Sequence, residues 1–266
     1  YVGGTSGLIY GYVNDGFYTV ADFESFDSKS RTWKLKDGVV DSSPLSDTPR
    51  PGNAKFKKLT PVDPNSTNPY QLTEADRTVI GNTTPKFSGG FGLNATYKGF
   101  DMSMFFNFMY DFDVLNANKI MLTTWADNKE NNFLMDIASD KRWRNFDDMG
   151  NEIRYSPEIL AEFNKNATMW NPTSIGRPIC MSYAVEDGSF LRLNSATLGY
   201  TLPSVWTKKV GLSKVRFYVS GNNLFTLTGY SGYDPEVNIA TGLTPNIDYD
   251  RYPRSRTYTF GAQLTF

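Results

Sequence analysis

The final run of the chain, residues 257–266, alternates without a break. Tyr258, Phe260, Ala262, Leu264 and Phe266 fall on one parity; Thr257, Thr259, Gly261, Gln263 and Thr265 fall on the other. Side chains of a strand alternate faces, so this segment is apolar on one side and small or polar on the other. A soluble sandwich would bury the apolar side against a second sheet. A membrane barrel would turn it to lipid and keep the polar side toward a wet lumen. Periodicity alone leaves both open.

Five more stretches read as strands: 7–20 (bent at Gly11 or Gly16), 86–97, 100–114, 190–202 and 214–225. In the second, Phe87, Phe91, Leu93, Ala95 and Tyr97 share a parity opposite Ser88, Gly90, Gly92, Asn94 and Thr96. The third aligns Phe100, Met102, Met104, Phe106, Phe108 and Tyr110 opposite Asp101, Ser103 and Asn107, with Lys98 and Gly99 as the two-residue turn of a hairpin. In the fourth, Ala196, Leu198, Tyr200 and Leu202 are aligned; Arg192 and Asn194 fall on the same parity, so the strand is expected to project beyond the apolar band at its start.

The connections decide between the two environments. They run long (21–85), short (98–99), long (115–186), short (203–213) and long (226–253). Long loops on one side and tight turns on the other is how outer-membrane barrels are built, and a sandwich has no reason to sort its loops so. Helical patches are expected within 118–144 and 157–164. About six strands are fewer than the eight or so a closed barrel needs, and open edges in lipid leave N–H and C=O groups unpaired at several kcal/mol each. The remaining strands are expected from elsewhere in a longer polypeptide. The start, Tyr1 onward, has neither an initiator Met nor a basic-then-apolar signal pattern, as expected of a mature or internal piece.

Composition agrees. Aromatic residues make up 15% of the 266 and hydrophobic residues only 39%, a chain polar on average yet rich in large rings. Lys and Arg total 27 against 28 Asp and Glu, so no net field favours nucleic acid. No run approaches the roughly 18 apolar residues of a spanning helix. Cys180 stands alone, so no internal disulfide forms. Histidine is absent, which excludes a Ser-His-Asp triad, a Cys-His dyad and His-ligated zinc.

The ordered blocks Asp76–Phe91, Asp187–Asn194, Thr197–Pro203, Ser220–Thr228, Gly232–Glu236 and Asp248–Gly261 resemble the C-terminal barrel of SusC/RagA-type TonB-dependent transporters, over most of residues 7–266. The resemblance implies an all-β fold: residues 1–266 as the C-terminal part of a large transmembrane antiparallel barrel, about six of 22 strands, with long extracellular loops containing short helices. It implies a plug domain and TonB box upstream, a SusD-like surface lipoprotein as lid, and TonB-energised import of oligosaccharides or peptides across the bacterial outer membrane. No cofactor, no nucleic acid and no enzymatic activity are expected; a passive porin is the alternative.

Candidate sites follow from the loops. Trp33, Trp125, Trp143 and Trp170 lie in them, and flat rings stack on sugar faces; the alternative is that they staple the loops into small local cores or pack on the lipoprotein. Tyr249 and Arg251 belong to a charged aromatic cluster, with Asp248, Tyr252, Arg254 and Arg256, that enters the last strand and either contacts ligand or orders the loop. Asp63, Asn65, Thr67, Glu74 and Asp76 offer oxygen ligands without calcium-loop spacing or its turn glycine, so a solvated turn is expected and no metal. Asp147 with Asp148, and Asp234 with Glu236, are the nearest approaches to paired glycosidase carboxylates. Trp206, Lys208 and Lys209 read as an interface anchor at a short turn.

Overall fold

A computed structural model describes residues 6–124, 133–237, 246–249 and 252–266. It divides into two compact units, one of residues 1–7, 82–114 and 186–266, the other of residues 8–81 and 115–185.

The first unit is built on a five-stranded antiparallel sheet. Its strands are β1 (Phe87–Tyr97), β2 (Phe100–Tyr110), β3 (Phe190–Thr201), β4 (Lys214–Thr228) and β5 (Thr257–Thr265), each beside its sequence neighbour. β1 and β2 are joined by Lys98 and Gly99, both at positive φ (46° and 91°). That pair of left-handed residues matches the twist of the flanking strands, which is why two residues suffice. Between β3 and β4 the chain turns through a short helix, Ser204–Thr207, and a 3-10 turn, Lys208–Val210, stopped by Gly211 at φ 76°.

The alternation read from the sequence runs across all five strands. Leu93 faces Met104, Met104 faces Ala196, Leu198 faces Val219 and Val219 faces Phe260, so one side of the sheet is continuous hydrocarbon and ring. Phe91 stacks on Phe106 at 4.9 Å, and Phe100 meets Tyr200 at 4.5 Å in a tilted pair, within that face. Much of it is bare among the described residues: Phe260 is 81% exposed, Tyr258 60% and Leu264 51%, while Leu193 and Val215 are buried. The other side carries Asn94, Ser103, Thr197, Ser220 and Thr259 in one row.

β3 corrects one expectation. Leu193 pairs with Phe106 and Ser195 with Phe105, so Asn194 is an extra residue, a β-bulge. β4 carries a matching irregularity, with Phe225 opposite Leu193 and Asn222 opposite Ser195, and Asn223 at φ 53°. An inserted residue flips every side chain beyond it. Arg192 therefore sits opposite Asn107 and Thr226 on the polar side, while Leu191 and Leu193 continue the apolar one. The strand does not project beyond its apolar band; it is re-phased.

The strand expected at 7–20 belongs to no large sheet. Leu8–Gly11 pairs with Thr78–Asn82, and Asn14–Phe17 with Ala54–Phe56, in ladders of two. The described sheet thus has five strands rather than six.

The second unit is a loop domain with cores of its own. Ala54, Phe56, Ile175, Met181 and Ala184 are fully buried in one, with Trp170 beside them; Trp143, Ile153 and Leu160 form another. Helices Ala117–Met121 and Pro157–Phe163 fall where helical patches are expected. No helix among the described residues is long and apolar enough to cross a membrane, which bears on helices alone.

Candidate functional site: the polar sheet face and the loop platforms

The polar face of the sheet holds its charges in two knots. In the first, Arg216 of β4 reaches across β3 to Asp101 of β2. Its Nε lies 2.9 Å from Asp101 Oδ1 and its Nη2 engages Oδ2, a two-pronged fork. The route is open because Gly199 lies between them: a Cβ there would stand inside the Arg216 guanidinium. The same device recurs at Gly261, where the Tyr218 ring lies where a side chain would go. Small residues on this face are clearances for long neighbours.

The second knot surrounds Arg192, which is 1% exposed. Its Nη2 is 2.5 Å from Asp234 Oδ1, its Nη1 3.6 Å from Glu236 Oε2 and 3.3 Å from Asn223 Oδ1. Arg254 closes the square, 3.0 Å from Glu236 and 3.9 Å from Asp234. Two cations meet two carboxylates, so the buried guanidinium is compensated. Nearby, the Tyr230 hydroxyl donates to Asp248 Oδ2 at 2.6 Å; burial first, and the Asp248 carboxylate second, push the phenol far above its ordinary value. Asn223 Nδ2 donates to the carbonyl of Arg254 at 3.2 Å. These bonds lace residues 230–237 and 254 to the sheet, and leave the rings of Tyr233 and Tyr252 81% and 88% exposed.

The carboxylate pairs noted in the sequence are spent. Asp234 and Glu236 are held by Arg192 and Arg254 as described. Asp147 accepts from the side chain of Asn151 and from the amides of Asn151 and Met149, which hold its carboxyl below the usual range. Asp148 pairs with Arg144 at 2.7 Å.

Asp76, expected in a solvated turn, is instead a buried loop clamp. It is fully buried, at the end of a 3-10 turn, Glu74–Asp76. Its Oδ1 accepts from the amides of Leu59 and Thr60 at 2.8 and 2.7 Å and from the Thr60 hydroxyl; its Oδ2 accepts from Thr73 and lies 3.5 Å from Lys58 Nζ. Burial alone would raise this carboxyl, but the donors of Thr60, Thr73 and Leu59 outweigh it and hold the group well below the carboxylate range.

The six candidate ligand residues separate. Trp143 and Trp170 are each 2% exposed, inside the two loop cores. Trp170 Nε1 donates to the Thr123 carbonyl at 3.4 Å, and Trp143 lies where a Cβ on Gly52 (φ 90°) would be. A ring closed on both faces cannot stack on a sugar, so these two hold the loops together instead. Trp33 is half-buried, against Phe23 and Phe26 at 5.3 and 4.8 Å, with an edge on a small cavity. Tyr249 is 51% exposed. Trp125 and Arg251 lie outside the described residues. Sequence reasoning missed the exposed ring of Tyr233, though it lies within the Gly232–Glu236 block; Tyr252, a member of the charged aromatic cluster that enters the last strand, is exposed as well.

Comparison with known proteins gives this arrangement a family. No family model matches the chain. TonB-dependent receptor P3 of Formosa agariphila is 33% identical over 266 residues, covering 98% of this chain and 22% of that protein. TonB-dependent receptor SusC of Bacteroides thetaiotaomicron is 36% identical over 88 residues, 32% of this chain and 8% of that one. Among solved structures, that of the RagAB peptide transporter superposes with a TM-score of 0.59 at 22% identity, over 99% of this chain and 23% of that one. The chain thus spans between a fifth and a quarter of the first of these relatives and of the solved structure, and its sheet is a segment of an all-β barrel. By sequence along nearly its whole length, and by fold, the chain belongs with the SusC-type TonB-dependent transporters.

Proposed function

We propose that the chain is the C-terminal part of the barrel of an outer-membrane importer for oligosaccharides or peptides, working with a SusD-like lipoprotein and energised through TonB. The sheet carries this reading: one face is apolar and largely uncovered, the other is mainly polar and charged, and β1 and β5 each have an edge without a partner in the described fold. Such a sheet is stable in lipid only when further strands close it and its charged face borders water. On this reading the loop domain lies outside the cell and the Trp206 turn, with Trp206 60% exposed, anchors the periplasmic rim. Trp33 and Tyr249 remain the candidate ligand contacts, joined by Tyr233 and Tyr252.

The test is uptake of labelled oligosaccharide and labelled peptide by cells with and without the full-length gene, each with TonB intact or inactivated. Import of one class that needs both gene and TonB is the expected result. Uptake that survives loss of TonB supports a passive porin instead. Purification from detergent-solubilised outer membrane checks the partner: a lipoprotein should accompany the barrel.

A further inference from the structure

A cavity of about 80 Å³ lies wholly within the loop domain. Arg31, Arg50 and Arg154 line it together with Trp33, Tyr155 and Asp47. The volume is too small for a sugar ring with its substituents but ample for one planar acid group and its waters, since a single water needs roughly 10–15 Å³ measured this way.

Several polar side chains of the wall are committed to the fold. Asn53 Nδ2 donates to the Thr48 carbonyl at 3.3 Å, and Asn171 Oδ1 accepts from the amide and hydroxyl of Thr173. Arg154 pairs with Glu152. The other two arginines differ. Neither Arg31 nor Arg50 makes an ion pair or a side-chain hydrogen bond among the described residues. Arg31 lies 4.7 Å over the Tyr155 ring, a stacking that fixes the plane of its guanidinium. It also occupies a left-handed backbone position (φ 56°) that glycine or asparagine would adopt at lower cost. An arginine oriented by an aromatic ring, beside a second unpaired arginine and a flat indole, is the arrangement that recognises a carboxylate by paired hydrogen bonds.

We propose that this cavity takes a carboxylate borne by the transported ligand, the acid group of a uronate residue or the C-terminus of a peptide, with Arg31 and Arg50 as its partners and Trp33 against the adjoining ring or chain. The inference rests on the import reading for its ligand classes and deepens it by assigning a charge.

The test uses the full-length transporter in detergent and four probes: trigalacturonate and its methyl ester, and tetra-alanine with a free or an amidated C-terminus. Calorimetry should show the free acid of one class binding at least tenfold tighter than its neutral form, and this advantage should vanish in the double variant Arg31→Gln, Arg50→Gln. Which class shows the effect identifies the source of the carboxylate. Equal binding of acid and neutral forms, no binding of any probe, or an acid preference that persists in the variant would overturn the proposal. Heat-modifiable migration of the variant barrel in detergent gels verifies that it has folded. TonB-dependent uptake unaffected by the double variant would sink the carboxylate site and leave the import reading standing; loss of TonB dependence in the wild type would sink the import reading.

Discussion

Asp76 illustrates how one side chain organises a long irregular segment. Residues 57–76 have little regular structure, and their ends are tied by a single carboxylate that accepts from three amides and two hydroxyls. Asp76→Asn would turn one acceptor into a donor facing those groups and leave Lys58, whose side chain is 9% exposed, without its counter-charge. The expected cost is about 3 kcal/mol, read as faster proteolysis within residues 57–76. A pH dependence follows with a definite sign. The folded carboxyl titrates below its reference value of 3.8, so its contribution is complete above that pH and is lost as pH falls through the lower folded value. The wild-type loop should therefore open in acid along a limb that Asp76→Asn flattens; identical acid limbs would show that the clamp is not what titrates. Gly199 makes the opposite kind of prediction. A methyl there meets first the movable end of Arg216, so Gly199→Ala should break the Asp101 fork without unfolding the strand. The observable is a loss of coupling between Asp101 and Arg216 in a double-mutant cycle, with strand content unchanged. In the sequence Asp76 and Gly199 fall within the blocks that carry the family resemblance, but their roles are not visible there. Periodicity reports which face a residue takes and nothing about which distant amide it will meet.

At the level of elements, what the sequence revealed and what it concealed have one cause. β1, β2, β4 and β5 were legible because each keeps strict two-residue alternation over most of its length, and the Lys98-Gly99 turn because two residues between alternating strands admit few conformations. The bulge at Asn194 was illegible: it adds a residue without a distinctive composition, and strict counting beyond it assigns Arg192 to the wrong face. The short ladders at Leu8–Gly11 and Asn14–Phe17 failed for the converse reason. They carry strand-like residues yet pair locally, and at Gly11 a side chain would collide with the Cys180 carbonyl, a close approach that sequence spacing does not report. The tryptophans follow the same division, since an indole in a loop is equally a platform or a core until its neighbours are known. The bulge itself is testable. Deleting Asn194 removes the extra residue and lets plain alternation put Leu193 on the apolar side and Arg192 on the polar one, opposite Asn107 as now, so the full-length protein should still reach a heat-modifiable folded state. A deletion that fails to fold would mean that the bulge does more than re-phase the strand. The faces are testable too. In the membrane setting proposed here, Leu198→Arg should impair assembly, at about 2–4 kcal/mol for a cation near the bilayer midplane, whereas Gln263→Arg on the polar side should be tolerated. Equal effects would contradict the assignment of faces.

For the molecule as a whole, the decisive property is that its two units satisfy themselves differently. The loop domain buries many of its aromatic residues in cores drawn from residues 8–81 and 115–185 alone. The sheet unit has hydrogen-bonded interiors but two bare edges, and an apolar face with rings such as Phe87 and Phe260 at 65% and 81% exposure. Amide exchange separates the two demands. In the full-length transporter the outward N–H groups of β1 and β5 should be as protected as those of the central strand β3, because neighbouring barrel strands accept their hydrogen bonds. In residues 1–266 held alone in detergent, those edge amides should exchange orders of magnitude faster, while the buried amides around Ile175 and Met181 keep their protection. Edge amides that stay unprotected in the full-length protein would mean that no strand pairs there, and the barrel closure on which the import reading depends would have no physical basis.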